Sequence, residues 1–205
     1  MTMILRKPRV RRGASGQNRS MEHCTTVEIE AGLGHVRDAP ADGGTVVMIV
    51  ARPSPGERAV LSEAALDAAV GLVGDCWLER GSSSGVDGAA HPDRQLTLMN
   101  ARFAALIAGS GDRWPLAGDQ LYVDLDLGEA NLPAGTRLAI GTAVVEISAS
   151  PHTGCAKFVE RFGRDAARFV NTDVGLELRL RGVNAFVVDG GAIATDDPVR
   201  KVAAG

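Results

Sequence analysis

Residues 136–158 read TRLAIGTAVVEISASPHTGCAKF. Two runs of alternating apolar residues in this stretch are separated by Gly141-Thr142, a pair that favours a tight turn between antiparallel strands. The second run ends before Pro151, and Cys155 then opens a segment with helical spacing. The stretch predicts a strand pair whose second strand leads into a helix, with a cysteine at the transition.

The rest of the sequence repeats this pattern of short strands joined by tight turns. Strands are predicted at 26–29, 45–50, 121–127, 136–140, 143–148, 177–180, 185–189 and 199–203, with a further element from 95. Helices are predicted at 63–70, 100–108, 155–161 and 165–170, the last two broken at Gly163, and 75–93 is predicted to be a long loop. Many short strands and few short helices favour a mostly β fold closed into a β-barrel.

Composition limits the class of protein. A chain of 205 residues can bury a sizeable core, and 45% apolar with 23% charged residues is typical of a globular protein that does not enter a membrane. No apolar run approaches the roughly 18 residues that span a bilayer. Three cysteines without paired Cys/His spacing indicate a reducing cytoplasm, with no structural disulfide or zinc site.

The charge is unevenly distributed along the chain. Residues 1–20 hold six basic residues and no acid; removing these six from the 22 basic residues leaves 16 against 25 acidic ones, a net charge of −9 for 21–205. An acidic body is a poor non-specific nucleic-acid binder. The basic segment has the charge of a nucleic-acid arm or a targeting peptide, but no apolar region follows Arg11-Arg12, which argues against a secretory signal. We interpret 1–20 as a disordered leader or a start placed upstream of Met21, and 21–205 as a single domain.

Cys155 is the first candidate for chemistry. His152 precedes it by three residues, and Lys157, Arg161 and Arg164 follow within the next turns. Nearby cations and a helix N-terminus favour thiolate over thiol. Thiolates act as nucleophiles, sulfur carriers and soft-metal ligands, whereas the alternative role for a free cysteine is that of a small buried hydrophobe.

The polar neighbours of Cys155 have alternative interpretations as well. His152 is placed to orient a ligand, donate a proton or keep the cysteine ionised, or else to bond backbone at a strand end. As a set, the nearby cations suit phosphate or carboxylate, although each alone suits a solvated helix face. The set comprises Lys157, Arg161, Arg164 and Arg181. Turn chemistry accounts for Asp75, Asp119 and Asp197, and a structural or incidental role is expected for Cys24 and Cys76.

Several stretches together resemble the MOSC domain family, named for the C-terminal domain of molybdenum-cofactor sulfurase. The likeness covers about 44–202. Its motifs are Gly118-Asp119-Gln120-Leu121, Asn131-Leu132-Pro133-Ala134-Gly135-Thr136, Ile140-Gly141, Pro151-His152-Thr153-Gly154-Cys155, Arg161-Phe162-Gly163, Asn171 and Leu180-Arg181-Gly182-Val183.

The resemblance implies a MOSC-type β-barrel with a cleft. It implies that Cys155 matches the cysteine thought to carry sulfur or to bind the molybdenum of the pterin cofactor. Basic residues of the cleft would receive the cofactor phosphate, with Asn171 beside them. Some members of the family reduce N-hydroxylated small molecules, and electrons or sulfur would come from a separate donor protein.

The chain departs from the family pattern in one place that bears on substrate. Stand-alone reductases of the family usually carry His-Gly-Gly after the Gly-Asp turn, whereas here Gly74-Asp75 is followed by a Gly- and Ser-rich stretch at 81–85. Two functions therefore stay open. One is a molybdenum-cofactor-dependent reductase; the alternative is a non-redox sulfur carrier that holds a persulfide on Cys155.

Deletion of residues 1–20 is expected to leave the melting temperature unchanged. The segment has six like charges and no apolar periodicity, so burial cannot offset the entropy of ordering it. Thermal denaturation of the truncated and full-length proteins tests this expectation. A clear loss of stability on truncation would show that the segment packs on the body.

Overall fold

The structure is a computed structural model that describes residues 23–82 and 86–203; the predicted leader lies outside these ranges. Its helices are α1 (Thr26–Arg37), α2 (Trp77–Arg80), α3 (Ala101–Ala108), α4 (Ala156–Phe169) and α5 (Asp173–Glu177). Its strands are β1 (Gly44–Ala51), β2 (Ala59–Leu61), β3 (Glu63–Asp67), β4 (Gly71–Leu72), β5 (Leu96–Asn100), β6 (Leu121–Asp124), β7 (Arg137–Ile140), β8 (Ala143–Ile147), β9 (Val183–Asp189), β10 (Gly191–Ala194) and β11 (Pro198–Val202).

Seven strands form a closed barrel in the order β11-β7-β8-β9-β5-β6-β1, which confirms the predicted closed sheet. Neighbouring strands are antiparallel except β5 and β6, which run parallel. β1 closes the barrel by pairing with β11 at Gly44 and Thr45, and its other end pairs with β2. A side chain at Gly44 would lie 2.0 Å from the Asp124 carbonyl oxygen, so the close crossing there requires glycine.

Helices cover one side of the barrel. Ile49, Leu98 and Leu121 point into the barrel core, while Val50 and Tyr122 belong to a second apolar cluster with α1, α3 and α4. β1, β5 and β6 are therefore buried on both faces over most of their length. In the strand predicted at 121–127, Leu121, Val123, Leu125 and Leu127 point into the barrel, whereas Tyr122 faces the helices and is buried beneath them.

Three predicted elements have the wrong type. The expected strand at 26–29 is the start of α1, which begins with a capping box between Thr25 and Glu28. The expected helix at 63–70 is β3, because pairing with β10 and β4 overrides the helical propensity of its alanines. The expected strand at 177–180 is instead the last residue of α5, a helix that Thr172 caps, and the turn after it. The segment 75–93 contains α2 and short 3₁₀ turns.

The break predicted at Gly163 is a kink inside α4. Gly163 has φ 87° and ψ 169°, a backbone conformation essentially restricted to glycine. His23 packs against this glycine, and the Asp165 carboxylate accepts a hydrogen bond from the Thr26 backbone amide at 3.0 Å. The kink thus joins α4 to the start of α1. No helix in the described ranges is long and apolar enough to cross a bilayer.

Gly163→Ala is expected to destabilise the protein by about 2–3 kcal/mol. The new methyl group would impose left-handed strain and would lie 2.7 Å from the His23 Cβ. The matched control is Gly34→Ala on the exposed side of α1, where nothing lies within 4 Å. That control is expected to stabilise by about 0.5–1 kcal/mol. Urea unfolding measures both, and equal effects would contradict the assignment of strain to Gly163.

Candidate functional site

A cleft of about 420 Å³ lies between the N-terminus of α4, the segment 115–118 and the wall formed by α2 and the following turns. Its lining carries seven basic side chains and, among the described residues, no aspartate or glutamate. The wall also contributes Gly81, Ser82 and His91 to the lining of the cleft. The basic residues are Arg52, Arg58, Arg80, Arg94, Lys157, Arg161 and Arg181.

Four successive backbone carbonyls hold four of these arginines. The carbonyls lie at the end of the 3₁₀ helix Gly111–Ala117, where carbonyl groups have few partners within the helix and carry partial negative charge. The bonds run from Arg58 Nε to Pro115 O (3.1 Å), Arg161 Nη1 to Leu116 O (2.6 Å), Arg181 Nη2 to Ala117 O (3.0 Å) and Arg52 Nη1 to Gly118 O (3.0 Å). We call residues 115–118 the carbonyl clamp. It brings four arginines from distant parts of the chain to one edge of the cleft.

Arg52 also forms a bidentate ion pair with Asp75. Arg52 Nε lies 2.7 Å from Asp75 Oδ2 and Nη2 lies 2.9 Å from Oδ1. The same carboxylate accepts the backbone amides of Arg52 and Trp77, each at 2.9 Å. This network ties the end of β1 to the start of α2. Turn chemistry alone, expected for Asp75, is therefore an incomplete account of its role.

Asp119 is the corresponding partner of Arg181. Arg181 Nη1 donates to Asp119 Oδ2 at 2.7 Å, and the guanidinium lies 5.0 Å from the centre of the Phe158 ring. His152 Nδ1 lies 3.4 Å from the other carboxylate oxygen. Asp119 is fully buried, so it too does more than shape a turn. Asp197, by contrast, accepts the Ala194 amide across a turn, as predicted.

His152 is held neutral. Only 15% of its side chain is exposed. Burial, followed by the charge of Arg181, lowers its pKa to about 3, although Asp119 opposes the shift. A neutral imidazole keeps one ring nitrogen as an acceptor, which a protonated one does not.

Cys155 is exposed and lines the cleft at the N-cap position of α4. This placement confirms the predicted strand-to-helix transition. The Phe158 backbone amide donates to the Cys155 carbonyl at 2.9 Å, while the thiol caps no amide of the helix. Cys76 is buried, and partial burial raises the pKa of the Cys24 thiol. Cys155 is thus the most exposed thiol of the three.

The structure separates the predicted site residues into two groups. Cys155, His152, Lys157, Arg161 and Arg181 line the cleft together. The other two predicted site residues, Arg164 and Asn171, line a separate shallow hollow beside α4. None of the five cleft residues lines this hollow.

The physical reason for this separation is the kink in α4. A regular helix would place residues 161 and 164 on one face. The non-helical backbone of Gly163 intervenes and turns Arg164 away from the cleft. Asn171 donates to the Ala167 carbonyl at 2.7 Å, which closes the end of the same helix.

Sequence reasoning missed four of the seven cleft cations. They come from the chain before the cysteine segment, and no local motif marks them: Arg52, Arg58, Arg80 and Arg94. The signal that was present is Gly74-Asp75, since an aspartate after a strand-like segment is a candidate partner for a distant arginine.

Solved structures with the same fold exist at low sequence identity. YuaD from Bacillus subtilis matches with a TM-score of 0.59 at 15% identity, over 79% of this chain and 97% of that one. YiiM from Escherichia coli matches with a TM-score of 0.52 at 20% identity, over 78% of this chain and 71% of that one. YiiM from Geobacillus stearothermophilus gives 0.54 at 15% identity, over 78% and 75%.

YiiM and YuaD are MOSC-domain proteins, so the chain has the MOSC-type barrel that the sequence predicted. At 15–20% identity the likeness is one of fold. No protein-family model and no curated protein matches the chain.

Neutral His152 is expected to make the fold sensitive to acid. The unfolded chain protonates this histidine below its ordinary pKa of 6.5, but the folded protein does so only near 3, so stability falls as the pH drops from 6.5 towards 3. At pH 5 the loss amounts to about 2 kcal/mol.

Urea unfolding at pH 7 and pH 5 measures this loss. His152→Gln is expected to shrink the difference between the two pH values by about 2 kcal/mol. The same substitution at exposed His35 is the control and is expected to keep the wild-type response. An unchanged acid response in His152→Gln would contradict the neutral histidine.

Proposed function

We propose that this chain is a MOSC-domain protein that binds the molybdenum cofactor in the basic cleft and reduces N-hydroxylated small molecules. The observation that supports the proposal is the meeting of one exposed thiol, Cys155, with seven cations in a single cleft. A cofactor with a phosphate at one end and a thiol-seeking metal at the other matches this pair of features.

The donor set fits a phosphate. Arginine guanidinium groups bind phosphate through parallel, charge-assisted hydrogen bonds, and the carbonyl clamp fixes the orientation of Arg58 and Arg161 before any ligand arrives. Burial, together with the charges of Arg161 and Arg52, lowers the pKa of Arg58. These cations repel one another, and an anion between them would relieve that repulsion. The cleft volume of about 420 Å³ lies within the range of about 300–1,000 Å³ typical of cofactor sites.

A single thiol suits a metal whose other ligands come from its own cofactor. Within 23–82 and 86–203, no three His, Cys, Asp or Glu side chains are grouped to hold a metal ion. Cys155 would supply a single sulfur ligand, and Lys157, Arg161, Arg181 and Arg58 would hold the phosphate. When bound, the cofactor supplies two-electron redox chemistry at molybdenum.

The chain's own residues would bind and orient the substrate. Reduction of an N-hydroxyl group consumes two electrons and two protons and releases the amine and water. A separate donor protein would supply the electrons. Neutral His152, which lines the cleft beside Cys155, would accept a hydrogen bond from the N-hydroxyl group. The wall residues of α2 and of the Pro92–Arg94 turn would face the substrate.

A sulfur carrier is the second candidate, and the exposure of Cys155 favours it. An exposed thiol that lines a basic cleft is open to attack the persulfide of a donor protein, so that the outer sulfur passes to Cys155 and the donor is left as a thiol. In this case Cys155 would hold the extra sulfur without metal.

Analysis of metal, pterin and cysteine-bound sulfur distinguishes the two candidates. Wild-type protein, made in a cofactor-producing host with ample molybdenum and isolated without oxygen, is expected to contain both molybdenum and pterin. Cys155→Ser is expected to lose the molybdenum because it removes the sulfur ligand, and Arg161→Gln is expected to lower pterin occupancy by about tenfold or more through the lost charge-assisted bond.

The matched controls are Cys24→Ser and Arg168→Gln, which lie outside the cleft and are expected to keep wild-type occupancy. Persistent absence of molybdenum and pterin from the wild-type protein would refute the cofactor proposal. An additional sulfur on Cys155 in that sample would then support the sulfur carrier.

A further inference from the structure

The cleft holds more positive charge than one phosphate neutralises. Arg52 and Arg181 already pair with the buried carboxylates of Asp75 and Asp119. Four further cations of the lining form no ion pair with any described carboxylate: Arg58, Arg80, Lys157 and Arg161. A phosphate carries a charge of about −1.5 to −2. About two of the four positive charges are therefore left over.

These four cations come from different elements of the cleft lining. Arg58 and Arg161 share the carbonyl clamp, where neighbouring carbonyls 115 and 116 accept their hydrogen bonds. Lys157 precedes Arg161 by one helical turn on α4. Arg80 belongs instead to α2, a different element of the cleft lining. Arg52 and Asp75 are among the charged groups near Arg80.

The segment of the wall that carries Arg80 is fixed at both ends by contacts with the backbone. The Asp75 carboxylate accepts the Trp77 amide at the start of α2. At the other end Gly81 adopts φ 65°, where a Cβ would lie 2.1 Å from the Gly88 carbonyl oxygen. Ser82 N donates to the same carbonyl at 3.1 Å. Trp77, largely buried, also lines the cleft.

We propose that the cleft binds two anionic groups at once: the cofactor phosphate against Arg58 and Arg161, together with Lys157 and Arg181, and an acidic group of the substrate against Arg80. The substrate is then an N-hydroxylated compound that also carries a carboxylate or phosphate, with its apolar body against Trp77. The assignment of the second anion to a substrate rests on the proposed reductase function. The two-anion site itself is inferred from the charges and contacts alone.

Arg94 places the second anion near the reacting end of the cleft. Its Nε donates to the Ser150 hydroxyl at 2.8 Å, two residues before His152, and its charge is among those that lower the His152 pKa. Positive charge on the wall therefore extends from Arg80 towards the histidine and Cys155.

Isothermal titration calorimetry with two matched probes tests the second site. The probes are 4-carboxybenzamidoxime and its neutral counterpart 4-carbamoylbenzamidoxime, titrated into purified full-length protein in saturating inorganic phosphate. The phosphate fills the clamp site where the cofactor does not. The carboxylate probe is expected to bind about tenfold or more tightly than the amide probe. Arg80→Gln is expected to abolish this preference, and Arg80→Lys to retain part of it.

Arg168→Gln, on the outer hollow of α4, is the control and is expected to keep the preference. Melting temperatures confirm that each variant is folded. Equal binding of the two probes, binding of neither, or an unchanged preference in Arg80→Gln overturns the proposal. Loss of carboxylate binding on addition of phosphate overturns it as well, because one shared anion site would then suffice.

A second source of negative charge is a diphosphate in a nucleotide-extended cofactor. Repeating the titration in saturating pyrophosphate distinguishes this source. Pyrophosphate that excludes the carboxylate probe, while inorganic phosphate does not, assigns Arg80 to the cofactor and overturns the acidic substrate. A sample without molybdenum that still prefers the carboxylate probe would refute the cofactor proposal and leave the two-anion site intact.

Discussion

The carbonyl clamp is the constraint on which the cleft depends. Carbonyls 115–118 end a 3₁₀ helix, and each accepts a hydrogen bond from a different arginine. Those arginines come from the end of β1, the loop before β2, helix α4 and the segment before β9. Guanidinium groups repel one another at close range, so the oriented carbonyl dipoles, not the arginines themselves, keep them together. The clamp therefore builds a positive cleft inside a chain whose body is acidic.

Two buried ion pairs also hold two of the four clamp arginines in place. Arg52–Asp75 and Arg181–Asp119 remove charged groups from water, a cost that good geometry and extra hydrogen bonds offset. Asp75 meets this condition fully, with four donors on its two oxygens. Asp119 meets it less completely, because His152 approaches one oxygen at 3.4 Å without a well-aligned hydrogen bond. The Asp119 side of the cleft is accordingly where polar groups are left for a ligand, among them the buried Nε of Arg181.

The helical layer both packs on the barrel and supplies residues of the cleft. The outward faces of β1, β5 and β6 are covered by α1, α3 and α4, which fixes α4 against the barrel through Phe158 and Phe162. The N-terminal half of α4 then presents Cys155, Lys157 and Arg161 to the cleft. Beyond Gly163 the helix changes direction and packs near α1, so its later arginines face elsewhere. One glycine thus separates binding residues from surface residues within a single helix.

The sequence by itself determined the features that arise from short segments of the chain. The alternation in 121–127 and 143–147 places leucine, valine and isoleucine inside the barrel, and the glycine at 163 breaks the helix, because side-chain period and backbone freedom are properties of short segments. The position of Cys155 at a strand-to-helix transition follows from the same local signals. Only the tertiary structure decided that 63–67 is a strand and that Arg52, Arg58 and Arg80 line the same cleft as Cys155. Strand pairing with β10 and acceptance by the carbonyl clamp join residues far apart in the chain, and no short-range pattern encodes those contacts.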